Sequence, residues 1–263
     1  MKNKVSIWIE QLESRGKLTF SIDQLRQEFS GKSDKALQQD LFRLVAKKKI
    51  QSVHRGFYTI VPLRYSNIGG LAPVLFINPL MEYLNRKYYI SLLSAASFHG
   101  AAHQAPQMFY VMHSGPSLRK SNRPILPIQY LSRKNWFETG LIRKKTETGY
   151  VQVANSLLTA LDLIENHKRV GGMNRVLAIL EELAENCSWQ EEIACHFPHT
   201  ILRRLGFMLD IVHAEKLSNQ IFQYIVESGR FSPKIFMRPA NNGKSEVNNR
   251  WNIVENTALK LEE

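Results

Sequence analysis

Lys35, Gln39 and Arg43 recur at intervals of four residues, and Lys47, Lys48 and Lys49 follow directly. On a helix, at ~100° per residue, the first three share one side while Leu37, Leu41 and Leu44 share the other. Long donors so spaced suit a helix that enters a major groove, because Arg and Lys match guanine O6/N7 and Gln matches adenine N6/N7. Arg55, in the turn His54-Arg55-Gly56 that follows, is expected at the tip of a wing, where phosphates flank a recognition helix. Lys32, Lys47, Lys48 and Arg55 are therefore read as phosphate holders. Ser33, the expected cap of the helix, is grouped with them as facing DNA. A solvated helix face or a protein-binding module has the same pattern, so these residues alone leave that alternative open.

Other groupings carry less chemistry. His99 and His103 stand four apart and would share a helix face only if the helix continued past Gly100, which also occupies the place of a metalloprotease glutamate. Cys187, Cys195, His196 and His199 fit none of the usual zinc spacings, and ordinary buried or surface thiols are expected. Asp162 and Glu165 are three apart on a helix and read as its solvated edge rather than as an acid/base pair. No Gly-x-x-x-x-Gly-Lys-Ser/Thr loop and no Gly-x-Ser-x-Gly elbow occurs. No enzyme site is visible, and neither a metal nor another cofactor is expected.

The elements that must position the basic residues follow from composition and capping. Residues 1–61 hold twelve Lys/Arg against six Asp/Glu, a surplus of six, and the other 202 residues carry the remaining six of the +12 net charge. Per residue the front is more than three times as basic, which implies a polyanionic partner there. Val5, Ile7, Trp8, Ile9 and Leu12 place an apolar stripe on a first helix that Gly16 ends. Thr19-Phe20 reads as extended, Ser21 caps a second helix, and Ser33 caps a third that runs to about Lys48. Residues 50–53 and 57–61 then read as a hairpin. Helix, helix, turn, helix and hairpin is the order of a winged helix-turn-helix.

The Pro/Gly-punctuated stretch 62–73 reads as a seam, giving a DNA-binding domain over 1–62 and a second domain over 63–263. Asn78-Pro79 opens a helix, and Tyr88 to Ala96 reads as one helix ending at His99-Gly100. Strands are expected at 107–113 and 125–132, and a hairpin at 141–145 and 150–153. Helices are expected at 155–166, 172–186, 189–195, 198–210 and 215–228, and a strand from Val247 to Leu259. The fold class is α+β: a winged helix-turn-helix followed by a mixed α/β domain. No apolar run approaches the ~20 residues of a membrane span, and two cysteines argue against a disulfide scaffold, so a cytoplasmic protein with no membrane partner is expected.

Several pieces together resemble a known family. They are the winged segment; Tyr88-Tyr89-Ile90-Ser91-Leu92-Leu93-Ser94-Ala95-Ala96 leading into His99-Gly100-Ala101-Ala102-His103-Gln104; and Tyr150 to Ala154 leading into Leu157 to Leu163. Arg203 to Leu209 and Arg250 to Asn256 complete the series. The chain resembles, over nearly its full length, the AbiEi antitoxins of abortive-infection (type IV) toxin–antitoxin systems. At the junction before Leu157, Asn155-Ser156 stands where the family pattern often has a Pro-Glu-Arg-Thr-like start. The resemblance implies a transcriptional autorepressor that binds double-stranded operator DNA carrying inverted repeats. It also implies that the C-terminal domain neutralises a nucleotidyltransferase-like toxin, with or without a tight complex. Two other readings stand beside it: a nuclease or nucleotidyltransferase targeted by its winged domain, and a transcription factor sensing a ligand among Tyr88, Tyr89, Phe109, Tyr110 and Trp136.

Overall fold

Two serine hydroxyls set the first elements. Ser21 accepts from the Gln24 amide at 3.1 Å while the Gln24 side chain accepts from the Ser21 amide at 2.8 Å, a capping box that satisfies two amides with no intrahelical partner. Ser33 Oγ accepts from the Ala36 amide at 3.4 Å and starts the third helix in the same way. The computed structural model describes residues 4–67, 69–102, 106–118, 127–228, 234–235, 246–255 and 259.

The front of the chain runs α1 (Lys4–Ser14), β1 (Thr19–Ser21), α2 (Ile22–Glu28), α3 (Asp34–Ala46), β2 (Ile50–His54) and β3 (Phe57–Ile60). The strands form an antiparallel sheet of order β1-β3-β2. Val5, Ile9, Phe20, Leu25, Leu37, Leu41, Leu44, Ile50 and Ile60 make a core of their own, with Trp8 edge-on to both Phe20 and Phe29. Burial of each such side chain contributes roughly 1.5–3 kcal/mol before the entropy of ordering is subtracted. Helix, helix, turn, helix and hairpin follow one another in the order expected from the sequence.

By its contacts the chain divides into two compact units. The first is Met1–Tyr89 with Gln107–Trp136 and Arg143–Gln152; the second is Ile90–Pro106 with Phe137–Ile142 and Val153–Glu263. Beyond the winged segment come α4 (Leu63–Ser66), a 3-10 turn at Pro73–Leu75, α5 (Ile77–Tyr83), β4 (Tyr88–Ile90), α6 (Leu92–Phe98), β5 (Phe109–Ser114), β6 (Ile128–Arg133), β7 (Leu141–Thr146) and β8 (Gly149–Ala154). Strands β4 to β8 form one sheet of order β6-β5-β4-β8-β7, with β5 and β6 parallel and Ile90 paired in parallel with Val153.

The helix opened by Asn78-Pro79 starts earlier, so Pro79 falls in its first turn, where a missing amide hydrogen costs nothing. Tyr88 to Ile90 is a strand, and only from Leu92 does the chain become helical. The four aromatics Tyr88, Tyr89, Phe109 and Tyr110 are buried core residues, and Trp136 packs 5.6 Å from Tyr89.

The remainder is mostly helical: α7 (Ser156–Glu165), a 3-10 turn at His167–Arg169, α8 (Met173–Ala184), α9 (Glu191–Ala194), α10 (His199–Ile211) and α11 (Glu215–Glu227). Asn155 Oδ1 accepts from the Leu158 amide at 2.9 Å and caps α7, whose residues from Ser156 to Ile164 are all buried. The segment expected as one strand from Val247 is two short ones. β9 (Lys234–Ile235), β10 (Glu246–Asn248) and β11 (Ile253–Glu255) pair in the order β10-β11-β9. The whole is mixed α+β, as expected.

Candidate nucleic-acid interface

Leu37, Leu41 and Leu44 of α3 point into the core of the winged segment, so the opposite side of the helix faces outward by geometry alone. Lys35, Gln39 and Arg43 are all exposed there, the Arg43 side chain by 68%. The structure thus brings the three expected base-reading side chains together on one open helix face. Asp40, on the buried side, is nearly sealed from solvent and is held by Lys32 at 2.8 Å, with Arg43 Nη1 at 3.7 Å. Lys32 is accordingly half-buried and directed inward; its cation compensates a buried carboxylate. It is the expected phosphate holder least available to a phosphate. Arg26 bridges Asp23 and Asp34 across the turn before α3, and these two charge-assisted bonds raise its affinity for its proton.

The end of α3 is a Schellman turn. The Lys48 amide donates to Val45 and the Lys49 amide to Leu44, with Lys48 in the left-handed region at φ 55°. Lys47 and Lys48 are exposed beyond the helix end, and Lys49 pairs with Glu10 at 3.3 Å. Arg55 is exposed at the tip of the β2–β3 wing, and its carbonyl accepts from Tyr83 Oη at 3.3 Å. Gly56 has φ +76°, and a Cβ there would lie 2.6 Å from that same hydroxyl, so the wing needs glycine at this position. His54 Nδ1 lies 3.1 Å from the Arg55 carbonyl, which fits a wing residue.

Phe42 escaped the reading of the sequence. It sits on the outward face of α3 and is 75% exposed. The signal was present: seven residues after Lys35, it falls outside the Leu37–Leu41–Leu44 stripe.

Among the described residues the alternative sites do not assemble. α6 ends at Phe98, and His99 Nε2 donates to the Ala154 carbonyl at 2.7 Å; His103 lies outside the described residues. His196 stacks on Phe137 at 4.1 Å, His199 contacts Ser228, and burial pushes the Cys187 thiol up to about 12 while Cys195 is exposed. Among the described residues no group of three or more His, Cys, Asp or Glu is placed to hold a metal. Glu165 is solvated as expected, but Asp162 is not. It is fully buried and accepts from Ser91 Oγ at 3.2 Å, because α7 is apolar on every side. Among the described residues no helix is long and apolar enough to cross a membrane.

Residues 89–211 match the family model of the AbiEi antitoxin C-terminal domain. The crystal structure of the RV2827C protein from Mycobacterium tuberculosis is similar in fold, with a TM-score of 0.66 at 13% identity, over 94% of this chain and 89% of that one. At that identity the likeness concerns the fold. No curated protein matches the sequence.

Proposed function

For a chain whose residues 89–211 match the AbiEi antitoxin C-terminal domain, we propose a division of labour within one polypeptide. The family supports an antitoxin role in a toxin–antitoxin pair. Residues 1–62 bind the promoter of the protein's own operon as an autorepressor, and residues 63–263 neutralise a nucleotidyltransferase-like toxin encoded beside it. Lys35, Gln39 and Arg43 read base edges, Lys47, Lys48 and Arg55 hold phosphates, and Ser33 fixes the start of the reading helix. The observation that carries this proposal is the open Lys35–Gln39–Arg43 face of α3, held outward by a core that the front of the chain builds for itself.

The test is a binding titration of the full chain against the DNA upstream of its own reading frame and against random duplex of equal length. With about six phosphate contacts, log affinity falls against log salt with a slope near −5 on both. The promoter binds more tightly, and Arg43→Ala reduces that preference by ~1–3 kcal/mol. Equal affinity for the two duplexes overturns autorepression. Protection from the toxin is read separately, as survival of cells that co-express it.

A further inference from the structure

An exposed phenylalanine at the edge of a cationic face calls for an occupant. Every other described phenylalanine is buried or half-buried, whereas Phe42 projects from α3 with 75% of its surface open. At ~100° per residue it lies within ~20° of Lys35 around the helix, on the side turned away from the core leucines. Its neighbours on the helix surface are Gln38, Gln39, Val45 and Ala46, all exposed. Lys35, Arg43 and Lys47, all exposed, put positive charge along one flank of this apolar spot. A second copy of the chain meeting it face to face would bring cations against cations. The occupant must therefore be polyanionic overall and still offer an apolar group at the point of contact.

Duplex DNA meets both requirements in its major groove, where each thymine displays a C5-methyl group beside its hydrogen-bonding edge. Phe42 lies three residues, about 4.5 Å of helix, beyond Gln39, close to the ~3.4 Å step between bases along a strand. We propose that Phe42 is a specificity-determining residue that packs on a thymine methyl next to the base read by Gln39. This inference rests on the DNA-binding reading above. It adds a contact by which that reading selects A·T-containing sites, through apolar burial rather than hydrogen bonding.

The experiment compares promoter DNA amplified with thymine against the same DNA amplified with uracil, which keeps every base pair and phosphate and removes only the methyls. The full chain, Phe42→Ala and Phe42→Leu are titrated on both. The wild-type chain is expected to prefer thymine DNA by about fourfold or more, the equivalent of one buried methyl(ene). Phe42→Ala should bind both duplexes alike, near the wild-type level on uracil DNA, and Phe42→Leu should restore part of the preference. If the wild type does not distinguish the duplexes, or if Phe42→Ala still does, the methyl contact is refuted while DNA binding stands. If neither duplex is bound in a salt-dependent way, the DNA-binding reading fails and takes this contact with it. Sedimentation of the same variants covers the other occupant: a dimer that Phe42→Ala dissolves, with no change in thymine preference, assigns the patch to self-association and overturns the proposal.

Discussion

Lys48 is held in the left-handed region, which costs an L residue other than glycine roughly 1–2 kcal/mol, at the one position of a Schellman turn that ordinarily carries glycine. The turn needs no side chain there, so the lysine has to be explained by what its cation does beyond the end of α3. Lys48→Gly should therefore leave stability unchanged or raise it by up to about 1 kcal/mol in a urea titration. The same variant should bind every DNA sequence less tightly and lower the salt slope by about one. A variant that gains stability with DNA affinity intact would remove Lys48 from the phosphate contacts. His113 presents the opposite situation, a titratable group the fold keeps neutral. It is fully buried in β5 with Nδ1 2.9 Å from the Ser114 carbonyl, and burial lowers its pKa below the ordinary value. The unfolded chain takes up a proton near pH 6.5 that the folded chain refuses, so this contribution is complete above pH 6.5 and is lost as the pH falls below it. His113→Gln should flatten the fall in urea midpoint between pH 7 and pH 5. An unchanged slope would place the acid sensitivity elsewhere. Single residues were unevenly legible in the sequence: the faces of Lys35, Gln39 and Arg43 followed from spacing, whereas Asp162 was misjudged because its charge was weighed above the apolar residues all around it.

At the scale of elements, helix α10 and the turn between β10 and β11 meet at a single glycine. Gly206 is buried on α10, and a Cβ built there would run into the indole of Trp251, which is itself fully buried and donates from Nε1 to Asp210 Oδ2 at 2.6 Å. Arg250 adds a bond to the same carboxylate at 3.1 Å. Alanine in place of glycine would favour a helix interior by up to about 1 kcal/mol, but here overpacking wins because the ring is pinned by its hydrogen bond. Gly206→Ala should destabilise the protein by about 1–3 kcal/mol and shift tryptophan emission to the red as the indole is displaced. Unchanged stability and emission would mean that the ring has room to move aside. Such a contact is invisible in the sequence, since nothing local links positions 206 and 251. Elements whose ends carry caps were legible, as Ser21, Ser33 and Asn155 show. The run from Tyr88 to Ala96 was not, because a short strand buried on both faces and a buried helix are equally apolar. Its division falls at Ser91, just before Leu92 turns into the left-handed region at φ 51°.

At the scale of the whole molecule, the excess of positive charge marks where a polyanion is expected, not where the toxin is opposed. Residues 1–61 carry six of the twelve surplus charges in under a quarter of the chain, while the family match begins only at residue 89. Exposed charges are screened beyond ~8 Å at physiological salt, so neutralising a few of them on α3 should leave unaffected any apolar or hydrogen-bonded surface that does not include them. Replacing Arg43, Lys47 and Lys48 together by alanine in the full chain should therefore abolish repression of a reporter placed behind the operon's own promoter. Cells that co-express the toxin should still survive at the wild-type level. These three side chains are exposed, and a melting curve close to that of the wild type would establish that the fold is retained. If protection disappears along with repression in such a folded variant, the two activities share a surface or depend on each other, and the assignment of DNA to the front of the chain and toxin to the rest fails. If repression persists, α3 is not the helix that reads the promoter.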